Sequence, residues 1–157
     1  MPPSFLIDID KLDLSQIIFG PEGIRECNPQ RGDMEHVDGI IWADAEHGKI
    51  LGFKDVRPDE FWVPGHIPGR PLLPGVIMIE AAAQLACFYA KAFLKWEGFI
   101  GFGGVEDCKF RLAVAPGERL YLLGMQTWIR HKRIGSRVQG VVNGNIAFEC
   151  EVIGTKM

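Results

Sequence analysis

The sequence predicts an α+β fold in which a strongly curved antiparallel β-sheet wraps around one long central α-helix. Three observations carry that expectation. Between Pro74 and about Lys95 no breaker interrupts a run rich in Ala, Leu and Met, enough for a helix of about 22 residues, or ~33 Å. The run is apolar nearly all round, so the helix belongs in the interior. Beyond it FIGFGGVEDCKFRLAV, ERLYLLGMQTWIRH, GSRVQGVV and NIAFECEVIG read as strands, with Pro116-Gly117 and Asn143-Gly144 as turns. The Asn-Gly pair is a strong type I′ hairpin signal. In the last run Ile146, Phe148, Cys150 and Val152 alternate with Ala147, Glu149 and Glu151, the pattern of a sheet with one buried face.

Ahead of the helix the signals are more varied. In residues 8–19 Ile9, Leu12, Ile17 and Ile18 recur at roughly helical spacing and Gly20-Pro21 stops the run, which predicts a short amphipathic helix. Residues 22–36 mix Gly, Pro and charge without a period and predict a loop. HVDGIIWADA and KILGFKDV, joined through Glu46-His47-Gly48, predict a β-hairpin. Phe61 to Pro74 is too dense in Pro and Gly for regular structure and predicts a shaped loop.

The 157 residues fit one domain spanning 1–157, and 47% hydrophobic and 24% charged residues with a net charge of −3 describe a soluble globular chain. Nothing in the charge points to nucleic acid. Cys27, Cys87, Cys108 and Cys150 are widely spaced without a CxxC pair or a signal-like N-terminus, so reduced thiols in a cytoplasmic protein are expected, and no metal. Pro71 to Ala90 is long and apolar enough to span a membrane. Glu80 and Gln84 near its centre argue against that, because an ionisable group there costs roughly 2.5–3.5 kcal/mol on insertion scales.

The stretch PGHIPGRPLLPGVIMIEAAAQ combines several parts with chemical uses. Pro74 at the first helical position leaves the amides of Gly75 and Val76 unpaired at the positive end of the helix dipole, where they suit a carbonyl oxygen or oxyanion. Gly75 has no side chain to keep a substrate away from its N–H. Glu80 is the lone acid of an apolar helix, where desolvation favours the protonated form that a general acid needs. Gln84, at i+4, can orient that carboxyl. His66, in a loop stiffened by Pro64, Pro68 and Pro71, is the natural proton acceptor. Taken singly, His66 and Glu80 could each be a satisfied core residue.

The same segment resembles the GHFPxxPxxPGVxxxEAxAQ signature of the FabZ-type β-hydroxyacyl-[acyl-carrier-protein] dehydratases, and the resemblance extends over roughly residues 50–154. It implies a hot-dog fold and the removal of water from a (3R)-3-hydroxyacyl group on acyl carrier protein, leaving a trans-2-enoyl thioester, with no cofactor. In that family the His and Glu meet across a dimer interface, which carries over to His66 as base and Glu80 as acid and implies a homodimer or a trimer of dimers. Gly75 would bind the thioester carbonyl, and Val76, Gln84, Ile67 and Phe102 would also meet the substrate. The related isomerising branch has Asp where this chain has Glu80.

The chain departs from the family pattern in places. NPQRGDMEHVDGIIW stands where an apolar, Pro/Phe-rich stretch is usual, Ile67 replaces a Phe, and Gly101 stands at a tunnel-gating aromatic. Arg130, His131, Lys132, Arg133 and Arg137 cluster near a strand turn and, with Arg111 and Arg119, are candidates for docking an acidic carrier protein or are simply solvated. His36 and His47 are expected to be exposed. Val76, Ile77, Ile79, Leu85 and Phe88 are expected in core or dimer packing. A hot-dog thioesterase and a non-catalytic acyl-binding subunit are the alternative functions.

Overall fold

The computed structural model describes residues 4–157. In chain order it contains a short helix α1 (Pro21–Cys27), strands β1 (Gly39–Asp44) and β2 (Lys49–Asp55), the long helix α2 (Gly75–Ala92), and strands β3 (Ile100–Phe110), β4 (Arg119–Arg130), β5 (Arg133–Val142) and β6 (Asn145–Lys156). The six strands form one antiparallel sheet in the order β1-β2-β4-β5-β6-β3. The sheet wraps α2, which is the hot-dog arrangement expected from the sequence. The Asn143-Gly144 turn has positive φ at both positions, 50° and 78°, as a type I′ hairpin requires.

Leu85 seats the helix on the sheet. A Cβ added at Gly52 on β2 would come within 2.9 Å of one Leu85 methyl, and one added at Gly124 on β4 within 3.0 Å of the other. Two neighbouring strands thus present a glycine-floored recess that lets α2 approach closely. Leu85 and Phe88 are fully buried there, and burial of each side chain stabilises by about 1.5–3 kcal/mol. The core continues through Met78, Ala81 and Ala82 to Leu120, Leu122, Val138, Phe148 and Cys150 on the concave face.

The convex face of the sheet carries a second cluster, in which Ile7 and Ile9 cover Ile41, Leu51, Phe53, Leu123, Val141 and Ile146. This corrects the helix expected over 8–19: only Ile9–Lys11 forms a single 3-10 turn. The chain just before it is held by Gln139, which accepts from the Leu6 amide at 2.7 Å and donates to the Ser4 carbonyl at 2.8 Å. The loop expected over 22–36 is corrected as well, because α1 and a 3-10 turn at Gly32–Met34 lie within or overlap it.

Helix α2 has 18 residues and is shorter than expected at its end. Phe93 caps it and Lys95 already has φ of 60°. Pro74 is the N-cap residue with ψ of 136°, one position before the expected one, so Gly75 is the first helical residue. By length and composition α2 could cross a membrane; here one side of it fills the sheet. Its other side is open, contrary to the expectation of burial all round, and Val76 is 71% exposed.

Candidate active site

The open side of α2 carries Glu80 and a groove that runs along the helix. Ala83, Ala86, Cys87 and Ala90 recur at i, i+3, i+4 and i+7 from Ala83, so small side chains face one direction along the helix. They form one wall of a cavity of about 210 Å³, with Glu80 at its head and Phe99–Phe102, Ile134 and Val152–Gly154 opposite. From Glu80 to Ala90 the groove follows the helix for about 15 Å. Burial pushes the Cys87 thiol up to about 11, so it is a neutral wall group and not a nucleophile.

Glu80 is half-buried, and Gln84 Nε2 donates to its Oε1 at 3.1 Å. The amide of Gln84 is itself fixed, because its Oε1 accepts from the His36 backbone N–H at 2.9 Å and its Nε2 donates to the Met34 carbonyl at 2.7 Å. The i+4 relationship predicted from spacing is therefore present, and segment 34–36 sets its direction.

His66 sits half-buried in the loop before α2. Its backbone N–H donates to the Trp62 carbonyl at 2.8 Å. Trp62 is buried and its indole N–H donates to Glu60 at 3.1 Å, while the buried Lys54 ammonium donates to the same carboxylate oxygen at 2.8 Å. The loop is tied at its far end by Leu73, whose N–H donates to the Val114 carbonyl at 2.7 Å. Between these anchors Ile67 has φ of 56°, a costly conformation for a β-branched residue that precedes a proline.

Burial opposes the charge of Glu60, but Lys54, the Arg57 amide and Trp62 outweigh it and hold the carboxyl below its usual range. His36 is 1% exposed, which corrects the expectation of a solvent-facing residue. Its Nδ1 lies 3.2 Å from Lys54 Nζ, and burial, followed by the Lys54 charge, pushes its pKa down to about 4. His47 is exposed as expected, with Nδ1 2.7 Å from Asp44 Oδ2.

At the helix start, the first backbone amides bonded to Pro74 O are those of Ile77 and Met78, which leaves the amides of Gly75 and Val76 directed off the end of α2. The ring of Phe110 lies against Gly75, where a Cβ would come within 2.8 Å of it. Among the described residues no hydrogen bond or ion pair joins His66 to Glu80. Of the expected site residues Glu80, Gln84 and Phe102 line this groove, and His66, Ile67, Gly75 and Val76 lie outside it.

Among the expected docking residues Arg119 forms a two-pronged pair with Asp55 at 2.7 and 2.9 Å, while Arg111 and Arg137 both reach Glu149. Arg130, His131, Lys132 and Arg133 stay exposed at the β4–β5 turn. Sequence reasoning missed Asn28, Gln30, Lys54 and Glu60. Burial distinguishes Asn28, Lys54 and Glu60, and at Gln30 only the side-chain oxygen is buried; no local pattern announces either.

A sheet wrapped round a helix that offers a carboxylate to an apolar groove defines the class: the chain belongs to the FabA-like domain family, whose profile matches residues 28–155. It is 36% identical over 135 residues to the 3-hydroxyacyl-[acyl-carrier-protein] dehydratase FabZ of Clostridium botulinum (strain Okra / Type B1), covering 83% of this chain and 90% of that protein. With the protein of the same name from Bacillus cereus (strain AH820) it shares 35% over 134 residues, 82% of this chain and 90% of that one. In fold it is similar to the dehydratase heterocomplex ApeI:P of Xenorhabdus doucetiae, with TM-score 0.71, 14% identity and coverage of 85% and 90%. A sigma28-regulated virulence protein of Campylobacter jejuni has TM-score 0.64 and 17% identity, with coverage of 89% and 94%.

Proposed function

We propose that this protein is a cytoplasmic, cofactor-independent hydro-lyase that converts (3R)-3-hydroxyacyl-[acyl-carrier-protein] to the trans-2-enoyl thioester and water in fatty-acid biosynthesis. The observation that carries the reading is Glu80 at the head of an apolar groove beside a helix start with two outward amides. The relatives at 35–36% identity, named 3-hydroxyacyl-[acyl-carrier-protein] dehydratase, support the substrate class.

A ring nitrogen of His66 takes the C2 proton while the Gly75 N–H holds the thioester oxygen, on which charge develops. The C2–H electrons become the C2–C3 double bond, the C3–O bond breaks, and the hydroxyl leaves as water with the proton of Glu80. Return of the proton from the imidazolium to the carboxylate resets the pair. Val76, Gln84, Ile67 and Phe102 would contact the substrate.

His66 and Glu80 are not joined within one chain, which favours a homodimer, with a trimer of dimers as a further level of assembly, in which His66 of one protomer works with Glu80 of its partner. Strand β3 is one edge of the sheet, and Phe102, Val105 and Phe110 on it, with Phe99 just before it, are all exposed. An apolar edge of this kind calls for a partner strand.

Purified protein mixed with 3-hydroxyacyl thioesters and followed by enoyl absorbance tests the reading, with Glu80→Gln and His66→Ala as controls. Enoyl formation by the wild type and its loss in both variants is expected. No enoyl from short or long chains, or full activity in both variants, overturns it, and thiol release indicates a thioesterase.

A further inference from the structure

Behind Gln84 lies a second cavity of about 200 Å³, lined among others by Ile24, Arg25, Asn28, Gln30 and Asp38. Gln30 and Gln84 line both this space and the groove headed by Glu80, so two side chains stand between them. Gln84 is immobilised by its bonds to His36, Met34 and Glu80. The side chain of Gln30 makes no hydrogen bond among the described residues, and its Oε1 is buried without a partner. Asn28, which is 4% exposed, donates through Nδ2 to the Gln84 carbonyl at 2.9 Å and likewise leaves its Oδ1 buried and unpaired.

Two unpaired buried acceptors beside a polar space this large are the setting in which proteins hold water, since a buried acceptor without a partner is destabilising. The groove side is different: along α2 it is lined by small apolar residues, and an acyl chain lying in it blocks that route. We propose that the cavity behind Gln84 is the exit for the water formed at Glu80, with the side chain of Gln30 as its gate. The inference rests on the dehydratase reading. In it, the hydroxyl from C3 and the proton from Glu80 leave as one water molecule while the enoyl chain is still bound. Gln84 keeps Glu80 pointed at the head of the passage, and Asn28 and Gln30 supply the acceptors that receive the water beyond it.

The test uses a 3-hydroxyacyl thioester with an isotopic oxygen label in its 3-hydroxyl. An enoyl-thioester reductase and NADH remove every enoyl group that leaves the protein. Mass spectrometry then reads label lost from the recovered hydroxy substrate against enoyl product captured. The wild type is expected to wash label out of recovered substrate, because water is exchanged before the enoyl group departs. Gln30→Leu dries the gate without removing any side-chain hydrogen bond of the fold, and should lower washout per product about tenfold. Gln30→Asn should restore most of it. An unchanged ratio in Gln30→Leu, or no washout in the wild type, overturns the exit while leaving the dehydratase intact. Absence of any enoyl product overturns both.

Discussion

Gln84 donates to Glu80 at 3.1 Å with an amide whose direction is set elsewhere, by the His36 N–H on its oxygen and the Met34 carbonyl on its nitrogen. The flipped rotamer would place an oxygen against both the carboxylate and the Met34 carbonyl, so one orientation is retained. Gln84→Leu removes the donor to Glu80 and strands a buried N–H. A loss of about 1–3 kcal/mol in urea unfolding is expected. Turnover should fall roughly 10- to 100-fold with little change in KM, because the acid loses its orientation while the groove stays intact. Steady-state kinetics that show a raised KM alone would assign Gln84 to substrate binding.

Lys54 and Glu60 are both buried and paired at 2.8 Å, with side-chain exposures of 1% and 4%. Removing one partner from such a pair leaves an uncompensated charge and costs about 3–5 kcal/mol. Lys54→Met should therefore lower the melting midpoint by roughly 6–20 °C at 2–4 °C per kcal/mol for a chain of this size. Glu60 also holds Trp62, whose carbonyl receives the His66 N–H. The variant should consequently lose activity at temperatures where it is still folded. The double variant Lys54→Met/Glu60→Gln removes both charges and should recover most of the lost stability.

His36 gives the fold a dependence on pH. Its pKa is pushed down to about 4 when folded, from an ordinary value of 6.5. Between these values the unfolded chain binds a proton that the folded one does not, so stability rises with pH across that window. It is fully present above about 6.5 and lost as pH falls to about 4, by up to ~3 kcal/mol. His36→Asn keeps an acceptor near Lys54 but does not titrate. Chemical denaturation at pH 4.5 and 7 should show a smaller difference for the variant than for the wild type, and equal differences would remove His36 as the cause.

What could be foreseen separates along the range of the interactions. The turn at Asn143-Gly144 and the helix after Pro74 were legible because local backbone preference determines both. The link from Gln84 to Glu80 was legible because helical geometry alone brings i and i+4 together. The segment at 8–19 misled because Ile9, like Ile7 before it, answers to Leu51 and Phe53 on the sheet, and because Gln139 holds the chain at Ser4 and Leu6 just ahead of it. His36 looked like a loop residue, and only the pairing of β1 with β2 brings Lys54 to it. The all-round apolarity of α2 suggested burial on every side. Its small stripe faces a groove and its start is open to solvent, so apolarity there serves a surface that the chain alone does not cover.

Cys87 sits in the middle of the small stripe, between Ala83 and Ala90, and the groove beside it is about 210 Å³. A side chain much larger than a thiol has nowhere to go except into that space, since the other side of α2 is packed against the sheet by Leu85 and Phe88. Cys87→Phe should therefore divide the groove, leaving the Glu80 end open and closing the end at Ala90 and Phe99. Short-chain 3-hydroxyacyl thioesters should keep most of their kcat/KM, while long-chain ones lose about tenfold or more, equivalent to ~1.4 kcal/mol of lost binding. Comparing kcat/KM across a chain-length series reads this directly. A uniform loss at every length would mean that the acyl chain lies elsewhere, and an unchanged series would mean that the groove is not its path.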